Sequence, residues 1–167
     1  MQVSGEVEDI MSVVFAEAKN ARLEYVTPEL LLCVICQNHL FARAFESCGG
    51  SVEELNRKLG FYLDEYVGTC SIESQDMPEF SQSMGTVLAY AWEFAQGGGK
   101  CVVELSHIIY AIYELRESYA CYYMQVQGVE RAELLREISA GCDEDGRADS
   151  ACEKEDDSKK AYWRRYA

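Results

Sequence analysis

Hydrophobic positions recur along this chain at helical spacing, and they do so twice over. Val7, Ile10, Met11, Val14, Phe15 and Ala18 fall three and four residues apart, which predicts a helix over residues 7–22. Thr27-Pro28-Glu29 then has the chemistry of a helix start. A threonine hydroxyl can cap the first free N–H groups, proline suits the first turn, and a carboxylate favours the positive end of the helix dipole. The run from Leu30 to Cys36 is almost wholly apolar, so this second helix is expected to be buried on most sides. A third, over His39 to Cys48, turns Leu40, Phe41, Ala44 and Phe45 inward and ends at Gly49-Gly50. A fourth starts at Ser51 and runs to about Glu65.

After an irregular connector over residues 67–80, the pattern starts again near Ser81. Met84, Val87, Leu88 and Ala91 form an apolar stripe that closes at Gly97-Gly98-Gly99. Glu104 to Tyr113 repeats the buried helix, Glu117 to Gln127 the third, and Val129 to Ala140 the fourth. A long period seen only twice predicts a duplicated helical unit packed on itself; a solenoid would need three or more copies. Such a fold offers surfaces and a groove between halves, and no obvious place for an asymmetric catalytic cluster.

Composition sharpens this picture. With only two prolines and short β-branched runs, helix is favoured over sheet. The net charge is −14, and residues 1–142 alone hold 21 acidic and 9 basic side chains, a net −12. Nucleic acid is excluded as a partner, because its binding rests on neutralising phosphates with Lys and Arg. An anionic membrane surface is unsuitable for the same reason. A partner that presents Lys or Arg is the natural complement. The N-terminus lacks the basic and apolar regions of a signal peptide, and no apolar run approaches a membrane span. Of the eight cysteines, Cys33, Cys36, Cys101 and Cys121 sit in apolar helical patterns, so the expectation is a reduced, cytoplasmic protein. Residues 143–160 are polar and charged and read as a disordered acidic linker; 161–167 turn aromatic and basic.

Four groups of residues could carry chemistry. Cys33-x-x-Cys36-x-x-His39 has zinc-ligand types, but no second pair follows and the cysteines lie in the most apolar helix, so core packing is expected. Gly97-Gly98-Gly99-Lys100 lacks the glycine spacing, the following Ser or Thr and the preceding strand of a phosphate loop; it reads as a helix cap and turn. A thiol-dependent enzyme built on Cys36 or Cys101 would need a histidine base. However, His39 reads as a linking polar residue and His107 as a structural one. Tyr110, Tyr113, Tyr119, Tyr122 and Tyr123 form a cluster that fits either a core with hydroxyls reaching the surface or a peptide-docking face.

The doubled pattern resembles the N-terminal domain of Clp ATPases, closest to the ClpA type. The resemblance rests on Val14-Phe15-Ala16-Glu17-Ala18-Lys19, on Tyr25-Val26-Thr27-Pro28-Glu29-Leu30-Leu31-Leu32 and on Phe45-Glu46-Ser47-Cys48-Gly49. Glu117-Ser118-Tyr119-Ala120 and Gly128-Val129-Glu130-Arg131 extend it, so that it covers about residues 5–141. It implies an all-α fold of two pseudo-twofold four-helix repeats, eight helices in all, with a flexible C-terminal tail. Domain 1–142 would hold repeat one over about 5–66 and repeat two over about 81–141, with 161–167 opening an ATPase module that follows. It further implies a docking domain of a hexameric AAA+ unfoldase that feeds the ClpP peptidase, binding a ClpS-type adaptor and protein substrates. No ATP-hydrolysing motif is present in this fragment, so no ATP turnover and no cofactor are expected of it.

The adaptor-facing surface of the family corresponds here to Glu79, Ser81, Thr86 and Tyr90. The family often has a basic residue where Thr86 stands, and a histidine where Leu30 stands. In the related ClpC type a glutamate of each repeat receives phosphorylated arginine. Glu29 matches the first and gives a further peptide-binding candidate, but Ser106 replaces the second. One carboxylate is a poorer clamp for a guanidinium than two, so phosphoarginine recognition is not expected. The alternatives are a stand-alone helical regulator and the thiol-dependent enzyme above.

Overall fold

A computed structural model describes residues 2–66 and 78–144. The connector expected over 67–80 lies outside the described residues up to 77, and the linker and terminal patch lie outside them from 145. The first repeat contains β1 (Gln2–Val3), α1 (Gly5–Asn20), β2 (Tyr25–Val26), α2 (Pro28–Ile35), α3 (His39–Ser47) and α4 (Val52–Tyr66). The second contains β3 (Glu79–Phe80), α5 (Gln82–Gly97), β4 (Val102–Val103), α6 (Leu105–Glu114), α7 (Tyr119–Val126) and α8 (Arg131–Glu144). Helix starts follow local chemistry. Thr27 accepts from the Leu30 N–H at 3.3 Å with Pro28 in the first turn, Asn38 caps α3 through Phe41 at 2.9 Å, and Ser81 caps α5 through Met84 at 3.1 Å. Each accepts one N–H that the helix cannot satisfy internally.

The packing is duplicated along with the elements. In each repeat the first helix packs on the second, and the second on the fourth: α1 on α2 and α2 on α4, then α5 on α6 and α6 on α8. The halves interlock by exchange, with α3 on α8 and α4 on α7. Two short parallel strand pairs, absent from the helical expectation, join them further. β1 pairs with β4 and β2 with β3, so each pair takes one strand from either repeat. A two-residue strand has no periodicity to read; only the long-range pairing makes it a strand.

The core is continuous across the interface. Every residue of α2 except Cys33 is buried, as its apolar run predicts. Near the interface Ser51 and Gln127 exchange hydrogen bonds, the Ser51 N–H to Oε1 at 2.6 Å and Nε2 to the Ser51 carbonyl at 3.2 Å. Beside them Gly50 lies against Phe45 and Val129, and a Cβ on it would stand 2.8 Å from Val129 Cγ2. Val129 was expected to lead the fourth helix of its repeat. It lies two residues ahead of α8 instead, 1% exposed, with its carbonyl accepting from the Tyr113 hydroxyl at 2.9 Å.

Candidate docking surfaces

One exposed surface follows β3 and α5. Backbone pairing to β2 fixes its start: the Glu79 N–H donates to the Glu24 carbonyl at 3.1 Å and the Ser81 N–H to the Val26 carbonyl at 3.0 Å. Glu79 is exposed there. The Ser81 hydroxyl is engaged as the α5 cap, and the Thr86 hydroxyl donates to the Gln82 carbonyl at 3.1 Å, so neither is idle. Met84, Val87, Ala91 and Ala95 face the core. Thr86 and Tyr90, four residues apart, run beside that buried stripe, and Tyr90 is 37% exposed. Two aromatic residues that the motif comparison did not single out extend the surface. Phe80 is exposed and meets the Phe15 ring at 5.3 Å, and Phe94 is exposed and stacks on Tyr110 at 3.8 Å. The Tyr90/Phe94 spacing of four beside an apolar stripe is the signal that could have found Phe94.

Glu29 does not join this surface. It is only 5% exposed, among α2, α4 and α7. The Ala120 backbone N–H and the Tyr62 hydroxyl donate to its carboxylate, while Oε2 is buried without a hydrogen bond. Burial pushes its pKa up against those donors and its own backbone N–H. The same burial, with Glu29 beside it, pushes the Tyr62 phenol up to about 12.

A second aromatic surface is built from α4 and α7, and it includes Tyr62. Tyr62 meets Tyr119 at 4.6 Å between ring centroids, and Tyr119, Tyr122 and Tyr123 contact one another at 5.7–6.5 Å. The tyrosine cluster of the sequence therefore splits. Tyr113 is a core residue, and Tyr110 lies between Phe94 and the Arg131 guanidinium, 4.4 Å from its centroid. Tyr119 and Tyr122 stand 45% and 55% exposed.

The remaining candidates are structural. His107 is buried at the start of α6, its Nδ1 accepting the Glu104 N–H at 2.9 Å, and Phe94 meets its ring edge-on. Gly97 ends α5, Gly99 takes φ +78°, and Lys100 pairs with Glu104 at 3.1 Å, so the glycine run is a turn. Among the described residues no group of three His, Cys, Asp or Glu could hold a metal ion. Cys36 is buried and its thiol is pushed up to about 12, the reverse of an activated nucleophile. Cys101 corrects the expectation of a fully reduced protein with its thiols in helices. It lies just ahead of β4 and is disulfide-bonded, whereas Cys33, Cys36, Cys48 and Cys121 are free. A thiol mechanism on Cys36 or Cys101 is thereby removed. No described helix is long and apolar enough to cross a membrane.

Comparison with known proteins places the chain in a family. Residues 2–127 match the Clp repeat (R) N-terminal domain. A ClpA homolog protein of Fuscovulum blasticum is 28% identical over 145 residues, covering 85% of this chain and 18% of its own length, so the chain spans about a fifth of that relative. The Hsp104 N-terminal domain of Candida albicans superposes with a TM-score of 0.73 at 15% identity, over 90% of this chain and 97% of its own. The ClpV N-domain, solved in complex with a VipB peptide, gives 0.62 at 19% identity, over 83% and 88%. The chain belongs to the Clp repeat N-terminal domain family, a protein-interaction domain of Clp and Hsp100 ATPases.

Proposed function

We propose that this domain docks adaptors and substrates for a hexameric AAA+ unfoldase that delivers proteins to the ClpP peptidase, and that a ClpS-type adaptor binds along β3 and α5. The observation that carries this reading is the row of exposed Glu79, Phe80, Tyr90 and Phe94 with half-buried Thr86 among them, on a body of net charge −12 over residues 1–142. Aromatic side chains supply contact area at low entropic cost, and the acidic surroundings steer a basic partner. A charged stretch after residue 143 would act as a tether. Tethering raises the concentration of cargo near a motor without any new contact.

Calorimetric titration of the chain with the ClpS adaptor of the same source, at low and physiological salt, tests the reading. One-to-one binding that weakens with salt is expected, and Tyr90→Ala should weaken it by about tenfold. Absence of binding at high micromolar concentration, or indifference to Tyr90→Ala and Glu79→Lys together, would refute it. Direct binding of substrate peptides is the second reading, favoured by the exposed tyrosines of α7.

A further inference from the structure

The two repeats can be set in register helix by helix. α1 and α5 are both 16 residues long, both start from a serine cap, Ser4 and Ser81, and β2 and β4 follow them at the same spacing. The C-caps Cys48 and Gln127 align α3 with α7 and set Leu40, Arg43 and Ala44 against Tyr119, Tyr122 and Tyr123. The end of α1 matches the end of α5 bond for bond. The Arg22 N–H donates to the Lys19 carbonyl at 3.1 Å and the Leu23 N–H to the Ala18 carbonyl at 2.8 Å. In the sister turn Gly99 donates to Gln96 at 2.9 Å and Lys100 to Ala95 at 2.9 Å. This pair of bonds requires a left-handed backbone at the residue after the C-cap. Gly99 takes φ +78° there, and α3 and α7 end on Gly49 and Gly128, also at positive φ. Arg22 takes φ +58°, and among the described residues no other non-glycine residue has a positive φ.

A left-handed backbone crowds the Cβ of any L residue, and glycine escapes that cost. The turn would therefore close at least as well with glycine, and what arginine adds is its side chain. The helix dipole does not require it: Lys19 already stands in the last turn of α1, and α5 ends with no basic residue in its last turn. Arg22 and Lys19 are exposed, and neither makes an ion pair among the described residues. The place of Arg22 in the fold is specific. It lies three residues ahead of Tyr25, which pairs in register with Glu79, and the Glu24 carbonyl between them accepts the Glu79 N–H. Arg22 therefore stands at the head of the β3–α5 row. The row itself is acidic, with Glu79 and Glu93 exposed and no basic residue on α5. The charge along this surface changes sign at Arg22.

We infer that Arg22 is a contact of the β3–α5 docking surface, and that the adaptor seated there presents a carboxylate to its guanidinium, beside the basic groups that meet Glu79 and Glu93. The planar guanidinium fork matches a carboxylate with two parallel hydrogen bonds, which fixes direction as well as strength. The inference rests on the adaptor reading above and adds polarity to it: a partner with one acidic and one basic end seats on the row in one direction only. A backbone strain held in one repeat and relieved by glycine in the other is the mark of a residue kept for its side chain.

The test is calorimetric titration of the full chain and its Arg22 variants with the ClpS adaptor of the same source. Arg22→Gly should bind about tenfold weaker than the parent, with a shallower dependence on salt. Its Tm should equal or exceed that of the parent, because glycine is what the sister turn already uses. Arg22→Lys should fall between the two, and Arg22→Glu should bind weaker than Arg22→Gly. Changing the surface carboxylates of the adaptor to lysine one at a time should yield one variant that binds Arg22→Glu better than it binds the parent chain. The inference is overturned if Arg22→Gly keeps the parent's affinity while Tyr90→Ala loses it, a result that leaves the adaptor reading intact. It is overturned equally if Arg22→Lys and Arg22→Glu bind like Arg22→Gly, if no carboxylate of the adaptor exchanges with Arg22→Glu, or if Arg22→Gly lowers Tm, since the arginine would then serve the helix end. A parent chain that does not bind the adaptor removes the adaptor reading and this inference with it.

Discussion

Replacing Gly50 by alanine adds one methyl group at the contact between the repeats, and its cost can be worked from the neighbours. The φ of Gly50 lies outside the left-handed region, so the backbone itself accepts alanine. The new Cβ would lie 2.7 Å from Phe45 Cδ1, closer still to Cε1, and 2.8 Å from Val129 Cγ2, all inside contact distance. Neither neighbour can retreat freely. Phe45 is fully buried and stacked on Phe41 at 5.4 Å, and Val129 is β-branched and 1% exposed. Overpacking of this kind costs about 1–3 kcal/mol, and two blocked directions place it toward the upper part of that range. The loss of unfolded-chain freedom returns about 0.5 kcal/mol. A net loss of about 2 kcal/mol should lower Tm by roughly 6–8 °C. Thermal unfolding followed at 222 nm measures it, with Gly49→Ala as the companion. Gly49 has open space around its Cβ position but φ +91°, so its cost of about 1–2 kcal/mol is purely conformational. Adding Val129→Ala to Gly50→Ala should show favourable coupling of at least about 0.5 kcal/mol, because one of the two clashes is removed. A Gly50→Ala variant within about 0.5 kcal/mol of the parent would refute the tight contact.

Further outcomes can be stated with their measurements. Asn38→Ala removes the α3 cap and the 3.2 Å bond from Asn38 Nδ2 to Glu6 Oε2, and should cost about 1 kcal/mol in urea unfolding with an unchanged m-value. The buried, acceptor Nδ1 of His107 disfavours its protonated form, and burial is the main cause that lowers its pKa from 6.5. The unfolded chain therefore takes up this proton first, and stability should fall as pH drops below about 6.5 toward the lowered folded value. His107→Gln keeps an acceptor at the capping-box position, so the difference in Tm between parent and variant should vanish as pH falls through that window. Iodoacetamide should leave Cys36 unmodified in the native chain at pH 8 and label it after denaturation, as read by mass spectrometry of its peptide.

How much of this was legible depended on the range of the interaction involved. Thr27-Pro28-Glu29 announces α2 by chemistry confined to three residues, and the α5 stripe of Met84, Val87 and Ala91 is set by helical periodicity. Both were readable. The β1–β4 and β2–β3 pairs were not, because each consists of two residues whose partners are over 50 positions away in sequence. Val129 read as the first residue of a helix because an apolar residue ahead of Glu130-Arg131 fits the periodicity. Its actual place is set by Gly50 across the interface and by the Tyr113 hydroxyl. Glu29 read as a helix-start carboxylate available to a ligand, since that position commonly faces water. The Tyr62 hydroxyl of α4 and the Ala120 backbone N–H of α7 that meet it come from elsewhere in the chain. Cys101 read as a small core hydrophobe, and nothing local to it signals a disulfide.

Where the two repeats disagree, the fold and the function separate. A duplicated unit that packs on its own copy needs complementary contacts at the axis, and some asymmetry there is structural. Gly50 and its counterpart Val129 face each other, and valine at both positions would not fit. This difference improves packing and needs no ligand to explain it. The differences at Glu29 against Ser106, and at the tyrosines of α7 against Leu40, Arg43 and Ala44 of α3, have the opposite sign. A buried carboxylate with an unsatisfied oxygen costs about 1–3 kcal/mol of stability, and Tyr119 and Tyr122 stand 45% and 55% exposed although Tyr123 packs against the core. Serine in the matching place shows that the helix forms without the charge. Features that weaken the fold, that the sister repeat does without, and that touch one another through Tyr62 fall together on one face of the molecule. Stability can explain the first kind of asymmetry and cannot explain the second, which is why the α4–α7 face is read as a site and the Gly50–Val129 contact as a joint.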